Sequence, residues 1–226
     1  MALSGKAVMV LSLDVAPEAF AAHDDWHSHE HLQERLGITG FRRGSRWTAV
    51  AAQPHYFVLY EVDELATLSS PPYLERLKHP TPATAGIMTR YRGMRRGFCR
   101  VTASYGLGLG RLGLVLYFSP PEAEAGRLRS RLSAQLASVP SRSGLSGAHL
   151  FEAAARPEMT VEQRIRGRDG EIDWVVLVNA YDAERLREFA GACLSCEQFL
   201  QYGVTGFSTG IYQLDHVVTE QDVSQI

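Results

Sequence analysis

Charge of one sign is what this 226-residue sequence lacks most plainly: 23 Lys and Arg stand against 25 Asp and Glu, for a formal net charge of −2. Without a basic excess there is no electrostatic footprint for nucleic acid or an anionic membrane, and the knot of Arg42, Arg43 and Arg46 is too local to make one. Long apolar runs are missing as well. Segments such as Trp174 to Val178 fall far short of the roughly 20 residues a membrane helix needs. Cysteine is scarce and odd in number (Cys99, Cys193, Cys196), which excludes a disulfide framework. The start shows no basic stretch feeding an apolar core and a small-residue cleavage site, so a reduced, cytoplasmic protein is expected.

What is present is a repeat. Lys6 to Leu13 reads as a buried strand, with Pro17 opening a helix that runs without Gly or Pro from Glu18 to Leu36. Ile38 to Val50, with a bend or bulge near Gly44, and His55 to Val62 read as strands. A helix within Leu65 to Leu77 and a strand from Met88 to Ala103 complete the order β-α-β-β-α-β. Gly5-Lys6 recurs as Gly110-Arg111 at an offset of 105 (110 − 5), and Pro17-Glu18-Ala19 recurs as Pro121-Glu122-Ala123. A second β-α-β-β-α-β follows, with helices from Ala123 to Val139 and from Ala183 to Leu200. The expected fold is therefore α+β: two tandem ferredoxin-like units, residues 1–105 and 106–226, whose antiparallel sheets pack face to face as an α+β barrel within one chain. The glycine-rich Tyr105 to Gly113 joins them. Its GLGRLG matches a dinucleotide fingerprint but precedes a strand instead of following one, so it reads as linker.

Titratable chemistry concentrates in HDDWHSHEHLQERLGITGF, where His23, His27, His29 and His31 lie within nine residues. At 100° per residue His23, His27, Glu30, His31 and Glu34 share one side of a helix, while His29, Leu32 and Leu36 share the other. His27-Ser28-His29-Glu30-His31 satisfies H-x-x-E-H, a zinc-protease pattern, although no third ligand lies nearby. Cys193-Leu194-Ser195-Cys196 falls inside a late helix and reads as structural. Arg164 to Gly170 reads as a charged hairpin tip.

Trp26, Glu30-His31, Glu34-Arg35-Leu36, Gly40-Phe41 and Arg46-Trp47 together resemble the motif of dimeric α+β barrel proteins related to the EthD family, with Thr39 where proline is usual. His23, His27 and His29 lie outside the shared pattern, and the second half has no Glu-His equivalent. The resemblance implies small-molecule chemistry in a cleft between helices and sheet: cofactor-independent monooxygenation of phenols, cyclisation, isomerisation, dye peroxidation or haem degradation. It points to His31 as general acid/base or hydrogen-bond donor, with Glu30 or Glu34 orienting its ring. Trp26, His27, Phe41, Trp47 and Tyr60 are the expected lining of the substrate pocket, joined by Tyr91, with Arg42 or Arg46 available for an anionic group. No cofactor is expected, haem or a divalent metal being left open, and a homodimer likewise. The alternatives are a metal-dependent enzyme using His27 and His31, and a non-catalytic ligand-binding or assembly protein.

Overall fold

The computed structural model describes residues 3–154, 161, 165 and 169–225. Strand β1 (Ala7–Val15) leads through a 3-10 turn at Pro17–Ala19 into α1 (Phe20–Trp26), a π-helical turn (His27–His31) and α2 (Leu32–Leu36). β2 (Phe41–Ala51) and β3 (Tyr56–Val62) follow, then α3 (Pro71–Lys78), α4 (Pro82–Met88) and the long β4 (Tyr91–Gly106). The second half runs β5 (Leu112–Ser119), α5 (Glu122–Ala137), β6 (Leu145–Ala153), a two-residue β7 (Gly170–Glu171) and β8 (Trp174–Ala180). It ends with α6 (Ala183–Cys193), α7 (Cys196–Leu200), β9 (Thr205–Thr219) and α8 (Glu220–Val223).

Eight antiparallel strands close on themselves in the order β4-β1-β3-β2-β9-β5-β8-β6 and back to β4. Within each half the pairing is ferredoxin-like. The halves join edge to edge, β2 to β9 with Gly44 opposite Val218, and β4 to β6 with Val101 opposite Phe151. The two sheets face each other as opposite walls of one barrel, and closure pairs both edges of each of the eight strands. Because strand side chains alternate, every barrel strand has an inner and an outer set. Val10, Trp47 and Phe57 of the first half meet Val115, Phe151 and Leu177 of the second in the bore. The outer sets, such as Met9, Leu11, Val58 and Tyr60, pack under the helices of their own half. Leu112, Leu114, Val176 and Val178 do the same in the second half.

One local expectation is corrected and another sharpened. The helix read from Ala183 to Leu200 breaks at Leu194-Ser195, so Cys193 ends α6 and Cys196 opens α7 instead of sharing one helix. The bend or bulge expected near Gly44 is a pair of register shifts to either side of it, between Phe41 and Arg43 against β3 and between Arg46 and Trp47 against β9. Of the charged stretch 164–170, residues 164 and 166–168 lie outside the described residues. Gly40 enters β2 at φ +93°, and a Cβ there would sit 2.9 Å from Thr67, so both conformation and space demand glycine.

Candidate functional site

The site lies between the histidine helix and the outer face of the first half's sheet. A four-residue spacing on an α-helix drifts by about 40° per step. The wider π turn, in which Leu32 N–H bonds His27 C=O, takes up that drift and keeps His23, His27 and His31 in a row facing the strands. Their rings follow one another at 5.5 and 5.6 Å, and all three are buried. α5, the corresponding helix of the second half, buries Leu128, Leu132 and Leu136 at the same spacing. Each pair differs by 105 (128 − 23, 132 − 27, 136 − 31), as do the starts of β1 and β5 (112 − 7). Positions that one half fills with leucine, the other fills with imidazole.

A polar layer holds the row from one side. His23 Nδ1 lies 3.1 Å from Asp24 Oδ1, which also accepts the Tyr56 hydroxyl at 2.8 Å. The Arg46 guanidinium stands 3.6 Å from the same oxygen and 2.7 Å from Asp215, and donates to the Asp24 carbonyl at 3.0 Å. Burial pushes the Asp24 pKa up, but the hydrogen bonds from His23 and Tyr56 outweigh it and leave the carboxyl below its ordinary range. Burial likewise drives His23 down, against the opposing pull of Asp24, and drives His27 well below its usual value. Both rings are therefore neutral at pH 7. His27 Nε2 is 3.3 Å from the Tyr60 hydroxyl, whereas His31 Nδ1 is 3.8 Å from Glu34 Oε2, beyond hydrogen-bond reach.

The three rings line a cavity of about 30 Å³ with Met9, Leu11, Leu13 and Val58 from the sheet, and Tyr73, Met88, Tyr91 and Met94 around it. Two guanidinium groups complete the lining: Arg35, over the Tyr73 ring at 5.7 Å, and Arg96, 3.3 Å from Asp169. Among the described residues no carboxylate is part of the lining. The volume suits a water or two. It does not fit a haem, and among the described residues no group of three or more His, Cys, Asp or Glu side chains is placed to hold a metal ion.

Of the residues expected from sequence, His31, His27 and Tyr91 reach the cavity. Trp26 backs His31 with ring centroids 4.5 Å apart, and Tyr60 touches the site through His27. The rest are elsewhere. Glu30 turns to Thr81, the N-cap of α4, accepting its hydroxyl, and is not part of the cavity wall. Phe41 is packed in the outer core against Tyr60 and Tyr73. Arg46 acts one layer back, through Asp24. Trp47, its neighbour on the strand, faces the opposite way into the bore, where its indole N–H donates to Ser45 Oγ at 2.9 Å. Arg42 is clamped between Asp63 and Glu220, and His29 is exposed. Sequence reasoning set aside His23 and overlooked Arg35, Arg96 and the methionines; the 23-27-31 spacing was the available signal for the first.

No family model matches the sequence, and no curated protein matches it. Solved structures do. An anthrone oxidase-like protein superposes with a TM-score of 0.68 at 12% identity, over 97% of this chain and 96% of the other. The fold is that of the dimeric α+β barrel. A candidate monooxygenase from Fusobacterium nucleatum gives 0.62 at 9% identity, over 96% of each chain. Chlorite dismutase from Candidatus Nitrospira defluvii gives 0.55 at 7%, over 98% of this chain and 95% of its own. Near full coverage of both partners means that this α+β barrel is matched as a whole, and identities this low speak for the fold alone.

Proposed function

We propose that this α+β barrel binds and transforms a small organic molecule in the cavity beside His31, with His31 as acid/base group or hydrogen-bond donor and the first half, residues 1–105, as the half that carries the site. One observation carries the reading: three histidines are buried in a row where the matching helix buries leucines, an arrangement expected to cost stability and accounted for by a ligand. The EthD-like motif around Glu30-His31 and the monooxygenase-type names among the structural neighbours support it. Room for anything larger than water requires the cavity wall to move, and Met88 of α4 is part of that wall. α4 has only Thr84 and Met88 buried, and methionine side chains repack easily.

The test uses tryptophan fluorescence, since the Trp26 indole lies against His31, ring centroids 4.5 Å apart, and reports occupancy. Titration with a panel of phenols and fused-ring enols is expected to quench the wild-type signal. His31→Ala, folded by circular dichroism, is expected to lose binding at least about tenfold, the loss of one good hydrogen bond. Unchanged binding of every compound by His31→Ala would sink the reading.

A further inference from the structure

We infer that the proton acceptor of this cavity is His23 Nε2, with Asp24 as the residue that holds its ring in the accepting tautomer. The inference rests on the ligand reading above; of the two roles open to His31 there, it leaves the hydrogen-bond donor to His31 and gives the base to His23.

An ionised carboxylate only accepts hydrogen bonds, so the contact of 3.1 Å between His23 Nδ1 and Asp24 Oδ1 requires the ring proton to sit on Nδ1. The carboxylate is itself fixed. Tyr56 donates to the same oxygen at 2.8 Å, and the Arg46 guanidinium stands beside it. The Nε2 lone pair is then free on the other edge of the ring. His23 is 1% exposed, it lines the cavity, and its Nε2 has no hydrogen-bond partner among the described residues. A buried acceptor left open in a cavity wall points to a donor supplied by a ligand.

The other two rings are placed differently. His27 meets a tyrosine hydroxyl, which can give or take a proton and so fixes no tautomer. His31 Nδ1 stands 3.8 Å from Glu34 Oε2, longer than the His23–Asp24 contact. His23 has a carboxylate within hydrogen-bond distance, the pairing that orients a general base.

The step is a plain proton transfer. A ligand bearing a weakly acidic O–H or C–H gives that proton to Nε2, and its bonding pair stays behind as an oxyanion or enolate. The imidazolium so formed keeps its Nδ1–H on Asp24, whose charge offsets it. Arg35 and Arg96 line the same cavity and offset the ligand's anion. The proton returns to the product, and no oxidant enters the balance.

Nitrogen-15 NMR of histidine-labelled full-length protein tests the tautomer without any variant: His23 is expected to carry its proton on Nδ1 with Nε2 bare. 4-Nitrophenol, whose phenolate absorbs in the visible, tests the transfer. Bound to wild type at pH 6 it is expected to absorb as phenolate, and bound to His23→Gln as phenol. Asp24→Asn is expected to raise the pH midpoint of that signal by about one unit. The groups facing His23 that enter this profile are Asp24, Arg46, His55, Tyr56, His27 and Tyr91. A proton on Nε2, or phenolate formed by His23→Gln but not by His31→Gln, overturns the assignment to His23 and leaves the cavity reading standing. Failure of the probe to quench Trp26 in any variant overturns both.

Discussion

His149 lies wholly buried in the bore, Nδ1 3.0 Å from Ser104 Oγ and ring parallel to Phe151 at 6.2 Å. Burial, joined by the charge of Arg43, lowers its pKa to about 4, against a raising contribution from Asn179. As pH falls below 6.5 the unfolded chain binds a proton there that the folded chain refuses until about 4, so stability drops through that window. His23 and His27 act in the same sense, and buried Glu61, whose pKa burial raises, acts in the opposite one. Urea unfolding at pH 7 and pH 5 checks this: His149→Gln is expected to lose about 2 kcal/mol less between the two than wild type does. At this scale the sequence was legible where local spacing decided the outcome. The expected juxtaposition of His27 and His31 is present because one helical turn puts them together. Glu30 was misread because its partner, Thr81, is 51 residues away, and Trp47 because the strand turns it from Arg46 to the far face of the sheet.

The histidine helix and α5 solve the same packing problem with different side chains, which makes them a controlled comparison. Leucine gains burial energy that a neutral imidazole forfeits in part. The triple variant His23→Leu, His27→Leu, His31→Leu is therefore expected to unfold at higher urea, with stability raised by about 1 kcal/mol or more, and to lose all ligand quenching of Trp26. A drop in stability would show that the imidazoles are core residues after all. α4 offers a second test. It is a seven-residue helix whose N-cap hydroxyl is tied to Glu30. Thr81→Val is expected to speed amide hydrogen exchange across α4 about fivefold while exchange in β1 stays unchanged. The existence of these elements could be read from periodicity, but their breaks could not. The π turn needs no distinctive residue, and the interruption at Leu194-Ser195 carries neither glycine nor proline.

Across the whole molecule, the repeat offset was enough to anticipate two ferredoxin-like units and their barrel. Which edges meet was not, because β2 finds β9 and β4 finds β6 only through closure, over separations that no local pattern encodes. Those seams imply that residues 1–105 alone would expose the edges of both β2 and β4 together with half of the bore. The fragment is expected to self-associate or remain unfolded in light scattering and circular dichroism; a folded monomer would show that closure is dispensable. Closure within one polypeptide also removes a constraint of symmetry. A barrel assembled from two identical chains holds every residue in duplicate, so any costly substitution is suffered on both sides of the dyad. Here a mutation is felt once. One flank is free to keep its leucines and supply rigidity, while the other accumulates buried imidazoles and guanidinium groups at half the penalty that a symmetric assembly would bear.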